Sequence, residues 1–282
     1  MRTGFIAPGI SQVVNKLWKG LIWLLIGVFI INVLGLIASV VVNSLATRWL
    51  GTWLPAGFTS QWYSSAWTEF QLDSVLIVTV EVVFAVVVIS LLVGVPAAYA
   101  LARRDFRGKR AVVLLFVLPL LVPPMTYGIP LATVLYRLHL AGTIFGVILA
   151  NLVPTVPFVV LVMTPFIEQI DPRIEAAARV FGAGTFRLFV HILIPLLSPG
   201  ILAAGLLVLV RTIAMFELSF LTGGPDSQTL VVALYYSVFA AGIRAGQSVD
   251  AMAVIYMAST LVWLLIALRF VNPTQLVARV KD

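Results

Sequence analysis

Three ionisable side chains interrupt runs of the chain that are otherwise apolar: Glu81, Arg211 and Glu217. Charges embedded in this way face a bundle interior or a cavity and need a partner, so binding chemistry is sought there first. Arg211 and Glu217 stand six residues apart, about 600° around a helix, and do not share a face. Arg211 is therefore assigned to an intramembrane charge pair with Glu81. Glu217 reads either as an interfacial residue near the outer headgroups or as a carboxylate lining a substrate pathway. In the second reading it favours an ammonium group through a charge-assisted hydrogen bond. Aromatic faces would add cation–π attraction, and Tyr235, Tyr236 and Phe239 lie nearby in sequence. Tyr127, Glu217 and Tyr235 are the expected pathway residues.

The remaining side chains supply no covalent chemistry. Cysteine is absent, which removes any disulfide framework or thiolate metal site. Two isolated histidines, His139 and His191, cannot form a zinc site by themselves. No credible serine triad is present. The phosphate-cradling pattern G-x-x-x-x-G-K-[ST] is also missing, since Gly108-Lys109 is followed by Arg110 and lacks the upstream glycine. The chain is thus expected to be no enzyme and to bind no cofactor. If it pumps, energy arrives from a partner or from an ion gradient acting on buried titratable groups.

The elements that position these residues follow from composition. Of 282 residues, 61% are hydrophobic and 10% charged, too few charges to cover a water-facing surface. The chain is expected to be an all-α integral membrane protein with six spans, at 18–44, 74–102, 111–136, 141–165, 192–221 and 250–271. The run Leu21–Val42 is longer than a signal-peptide core and reads as a retained first span. Proline and glycine recur inside the spans, as at Pro119, Pro123, Pro124, Pro154 and Pro157. Such breaks survive where neighbouring helices or a water-lined cavity satisfy the freed backbone.

A net charge of +7 could suggest nucleic acid, but its distribution speaks for membrane orientation instead. One side carries 14 basic residues: Arg2, Lys16, Lys19, Arg103, Arg104, Arg107, Lys109, Arg110, Arg173, Arg179, Arg187, Arg269, Arg279 and Lys281. The other side carries 3, namely Arg48, Arg137 and Arg244. The positive-inside rule then places both termini in the cytoplasm. This gives an N-terminal cytoplasmic segment 1–17, a membrane domain 18–271 and a cytoplasmic tail 272–282. The loop RRDFRGKR reads as a topology determinant in contact with lipid phosphate. The external stretch GTWLPAGFTSQWYSSAWTEFQLD reads either as a set of interfacial aromatics or as a short amphipathic helix near a docking partner.

One segment departs from the apolar background: IEAAARVFGAGTFRLFVHILIPLLSPGI, from Ile174 to Ile201. Asp171-Pro172 marks a helix start, the acid capping amides and the proline tolerated at the first position. Ala176, Ala177, Ala178 and Arg179 favour helix. Gly182 ends it, because glycine takes the left-handed conformation freely. Thr185 is expected to cap the next helix. The product is a short alanine-faced helix, about 172–182, on the cytoplasmic side, with Glu175, Arg179 and Arg187 offering charge at its rim. Small side chains let another surface approach closely.

In this segment the sequence resembles the permease subunits of binding-protein-dependent ATP-binding-cassette importers. Their signature is Glu-Ala-Ala, a glycine four residues after the second alanine, nine free positions, then Ile-x-Leu-Pro. The chain has Gly182, nine residues, then Ile192-Leu193-Ile194-Pro195, with Ile194 in place of leucine. Counting back from Gly182, the family's Glu position holds Ala176, and the acid stands one residue earlier at Glu175. The resemblance covers roughly residues 70–271, including VGVPAAYALARRDFRGKR and FLTGGPDSQTLVVALY. It implies the type I importer permease fold and a multi-pass protein of the bacterial inner membrane. It also implies that the short helix is a coupling helix, with Glu175, Ala176, Ala177, Ala178, Arg179, Phe181, Gly182 and Arg187 seated in a cleft of a separate ATPase. The implied assembly has a second homologous permease, two ATPases that bind ATP and Mg, and an extracytoplasmic solute-binding protein. The outer segment GFTSQWY and the chain length look most like polyamine permeases, while sulfate, iron, phosphonate, opine and sugar permeases share much of the pattern. A secondary transporter coupled through Glu81 or Glu217, or a channel or scaffold, are the rival classes.

Overall fold

The structure, a computed structural model, describes residues 8–49, 52–239 and 245–270. The segment 1–7, Arg244 and the tail 272–282 lie outside the described residues. Among the described residues the regular elements are helices. The first half holds α1 (Pro8–Leu45), α2 (Gln61–Glu69), α3 (Leu72–Arg103), α4 (Lys109–Leu121), α5 (Pro124–Arg137) and α6 (Ile144–Glu168). The second half holds α7 (Pro172–Val180), α8 (Thr185–Leu188), α9 (Ile194–Ile213), α10 (Phe216–Thr222), α11 (Leu230–Phe239) and α12 (Gly246–Phe270).

Five stretches are long and apolar enough to cross a membrane as single helices, and α4 with α5 makes a sixth only as a bent pair. The expected straight span 111–136 is corrected by this: its halves meet at 102°. Pro123 and Pro124 are the cause, since neither has an N–H and the residue before each is driven to extended backbone, as at Val122 with ψ 132°. By contrast Pro154, Pro157 and Pro165 lie within α6 without ending it. The expected span 192–221 is also corrected. It begins earlier, at Thr185, and ends at Ile213. Met215 then turns to extended backbone (φ −76°, ψ 90°) before α10 starts. Between α8 and α9, Phe189–Leu193 forms a π turn in which the Ile194 N–H reaches back to Phe189 O. It falls just before Pro195, where the ordinary helical ladder lacks a donor.

The core is built on α3 and α6. Ser90 and Thr155 share a hydrogen bond of 2.8 Å across 65 residues. Gly94 and Val159 meet at the same offset, so the two helices run parallel. A β-carbon at Gly94 would stand 2.6 Å from Val159 Cγ1, which is why only glycine fits there. Val82, Val86, Ala98, Val160, Met163 and Ile167 fill this seam, and Leu193, Leu197, Ala204 and Val208 of the α9 region close it from a third side.

α1 and α12 flank this core. Apolar residues of α1 such as Trp23 and Ile31 are exposed, as on a lipid-facing surface. Near its end Asn43 Nδ2 donates to Asp250 of α12. In α2, the Trp62 indole donates to Ala46 O at 2.8 Å and the Tyr63 hydroxyl bonds Ser44 Oγ at 2.8 Å. These two aromatics therefore pin the helix to the end of α1, while Trp53 stays fully exposed.

Candidate functional site

Two polar constellations stand out, one at the end of the bundle that carries α7 and one inside it. At the first, Asp171 caps α7 by accepting from the Arg173 amide at 2.9 Å, and Pro172 takes the first helical position. Gly182 closes the helix at φ +79°. Its N–H donates to Arg179 O at 3.0 Å, and the Ala183 N–H donates to Ala178 O at 3.0 Å, a pair of bonds that forms a Schellman stop. Thr185 does not cap the next helix. It is the first residue of α8, and Gly184 holds the cap position without a side-chain bond.

Glu175 is placed differently from the expected rim position. It is 4% exposed. The Tyr99 hydroxyl donates to Oε2 at 2.5 Å and Arg103 Nε donates to Oε1 at 2.7 Å. Arg103 Nη2 also donates to Ile170 O at 2.6 Å, at the turn leading into α7. Arg179 approaches Oε2 at 3.7 Å from the next turn of α7. Tyr99 and Arg103 are four apart on the last turns of α3, so one face of that helix grips one acid of α7. Arg103, expected among the surface charges of RRDFRGKR, belongs to this buried link, its side chain only 13% exposed. The other face of the segment is open. Ala176, Ala177, Arg179 and Arg187 are exposed, Ala178 is half-buried, and Val180, Phe181 and Phe186 are exposed at 84%, 89% and 79%.

The second constellation gathers where α9 breaks. Arg211, in the last turn of α9, holds its guanidinium 5.5 Å from the centroid of the Phe158 ring, near the middle of α6. Its Nε is buried without a hydrogen-bond partner. The Tyr127 hydroxyl of α5 is buried and likewise unpartnered, and it lies within electrostatic reach of Arg211 and of Glu217. Among the described residues no ion pair includes Arg211, Glu217 or Glu81. The expected Glu81–Arg211 pair is therefore not formed. Glu81 sits on an exposed stripe of α3 with Ile77 and Phe84, spaced i, i+4, i+7, and points away from the α3–α9 seam.

Helix geometry sets what surrounds Glu217. On α10, Phe216 and Phe220 share one face and pack against Tyr235 of α11, tilted at 4.6 Å and edge-on at 5.2 Å between centroids. Phe239 continues this wall at 4.4 Å from Tyr235. Leu218 and Leu221 face α5, where Gly128 leaves them room. Glu217 lies between these faces, half-buried. Tyr127 and Tyr235 thus pack on different sides of α10, and only Tyr127 is brought toward the charges.

Sequence reading missed Phe158, Phe216 and Phe220, and also Asn151, which is fully buried with its Oδ1 unpaired. An asparagine inside the run IFGVILANLVPTVPF and a Phe-x-x-x-Phe spacing were the available signals. At the end of the bundle far from α7, a cavity of about 700 Å³ opens between the α2–α3 junction and the α10–α11 loop, with Gln71, Ser74, Ser219, Gln228 and Tyr236 in its wall.

Comparison with known proteins places these features in context. Residues 90–280 match the family described as "Binding-protein-dependent transport system inner membrane component". A probable molybdenum ABC transporter permease protein of Haloferax volcanii is 29% identical over 84% of this chain and 86% of its own length. The sulfoquinovosyl glycerol transport system permease protein of Agrobacterium fabrum is 29% identical over 67% of each chain. Among solved structures, a chain of a bacterial ABC transporter that imports the acidic polysaccharide alginate superposes with a TM-score of 0.70 at 19% identity, covering 96% of this chain and 100% of that one. A chain of the MetNI methionine ABC transporter gives 0.55 at 18% identity, over 72% of this chain and 95% of that one.

Proposed function

The chain belongs to the family of binding-protein-dependent transport system inner membrane components, and from that premise we propose that it forms half of the translocation pathway of an ATP-driven importer for a small solute. The observation that carries this reading is the two-faced segment 172–188. One face is bonded into the bundle through Glu175, and the other presents Val180, Phe181 and Phe186 to solvent. An exposed aromatic patch of this kind is suited to burial in a partner's cleft.

In this reading the occupant of that patch is a separate ATPase, and Mg-ATP is bound there and not by this chain. The α7 end and both termini face the cytoplasm of a bacterial cell. A second permease, identical or different, completes the pathway, a second ATPase docks on it, and an extracytoplasmic receptor delivers the solute at the far end. Shifting a two-state gate from 1:99 to 99:1 takes about 5.5 kcal/mol of differential binding, a scale that nucleotide turnover in the partners supplies. Closure of the ATPases moves α7, and the Glu175 link with the π turn before Pro195 passes that motion to α3 and α9.

The substrate is the finer question. A polyamine reading rests on Glu217 and the outer aromatic segment alone. The relatives are named for molybdenum and sulfoquinovosyl glycerol, which supports an oxyanion or a sugar at least as well. The test of the importer reading is reconstitution of the whole complex in proteoliposomes. Uptake that requires ATP and the ATPase supports it, whereas uptake driven by a proton or sodium gradient without ATP overturns it.

A further inference from the structure

Resting on the importer reading, we infer that Arg211 and Tyr127 form an oxyanion-binding station in the pathway, so that the transported solute carries a negative charge. Arg211 is a permanent cation with five N–H donors and no acceptor. It makes no ion pair with the described residues, and its Nε is buried without a partner. Its guanidinium lies 5.5 Å from the centroid of the Phe158 ring, a contact that offers about 0.5–2 kcal/mol. The Nε, left buried without an acceptor in the last turn of α9, is a donor that the ring face does not satisfy, at a cost of about 1–3 kcal/mol.

The Tyr127 hydroxyl of α5 repeats the pattern, buried, unpartnered and within electrostatic reach of Arg211 and of Glu217. Each group thus holds a buried donor that no acceptor among the described residues meets. The missing complement is an anionic group with several oxygens, a carboxylate or a tetrahedral oxyanion. Such a group accepts two bonds from the guanidinium and one from the phenol. Glu217 is also within electrostatic reach of Tyr127, but it stands beyond the helix break and makes no ion pair with the described residues, so a cation beside the unmet Nε donor would meet the charge of Arg211. Two further features keep the station in place. The extended backbone at Met215 ends α9 just past Arg211, and the α4–α5 bend starts α5 three residues before Tyr127.

The experiment uses the purified permease–ATPase complex without the receptor, so that no other solute site is present. Its thermal unfolding is followed with molybdate or sulfate, and separately with spermidine or sucrose. The expected result is a midpoint rise of about 2–4 °C with an oxyanion. That rise disappears in Arg211→Gln, is partly kept in Arg211→Lys, and shrinks in Tyr127→Phe, which removes one oxygen and keeps the shape. The proposal is overturned if neither oxyanion raises the midpoint, if the rise survives Arg211→Gln, or if spermidine or sucrose alone produces it. An acidic side chain of the second permease bonded to Arg211 in the assembled complex would overturn it too. ATP-independent uptake would sink the importer reading separately, while leaving the binding result to be judged on its own.

Discussion

The acid of α7 is buried whole and the cation of α9 is buried at its Nε, and the two are treated in opposite ways. Glu175 receives a phenol and a guanidinium at hydrogen-bond distance, with Arg179 behind, and Arg103 uses its spare nitrogen on Ile170 O. Arg211 lies over a ring face, and its Nε meets no acceptor among the described residues. A network whose donors and acceptors are all matched is stiff and moves as one body, as a mechanical link must. A site whose donors are left over is incomplete until something else arrives. Low dielectric raises the stakes of both, and in the proposed importer the contrast separates a part suited to transmit force from a part suited to take a ligand.

Breaking the matched side should have the largest effect. Glu175→Ala leaves Arg103 buried and unpaired, a loss of about 3–5 kcal/mol. We expect ATP-driven uptake to fall to background while the spans still insert, measured as transport against complex yield. Gly182→Pro comes next. Proline cannot adopt φ +79° and removes the bond to Arg179 O, at about 3 kcal/mol. ATP hydrolysis should persist while transport stops, and normal coupled transport in this variant would refute the lever assignment.

Phe181→Ala leaves the fold intact, because the ring is exposed, yet it should weaken ATPase docking by about 2 kcal/mol, roughly 30-fold in affinity. Co-purification over a dilution series reads this directly. The smallest change tests the unmatched side. Glu217→Gln should alter uptake of an anion by less than about threefold, or about 0.6 kcal/mol. A tenfold loss of uptake would return Glu217 to the pathway as a cation-binding carboxylate.

Hydropathy located five of the long apolar helices because each is long enough to be read alone, while the sixth expected span is a bent pair. The bounds of α7 were legible for a similar reason, since Asp171-Pro172 and Gly182 are local start and stop signals. What was hidden depended on residues far apart in sequence. Glu175 looked like a rim charge because its partners, Tyr99 and Arg103, lie 76 and 72 residues away. The prolines misled in both directions. Pro123-Pro124 folds one span into two, whereas Pro154 and Pro157 leave α6 whole, and composition does not distinguish them. The supposed Glu81–Arg211 pair failed because pairing was argued from scarcity of charges, while the helix face decides what each can touch.

Gly94 lets Val159 stand where a β-carbon would be. Two helices interlocked at that depth cannot slip past each other by one residue without collision, so the α3–α6 unit behaves as a keel. Displacement has to be absorbed elsewhere, and among the helix breaks two interrupt apolar stretches, Val122–Pro123 and Ala214–Met215. Both adjoin the Arg211–Tyr127 pair. A stroke applied at α7 would therefore leave the keel undeformed and spend its travel opening or narrowing the space around those two side chains.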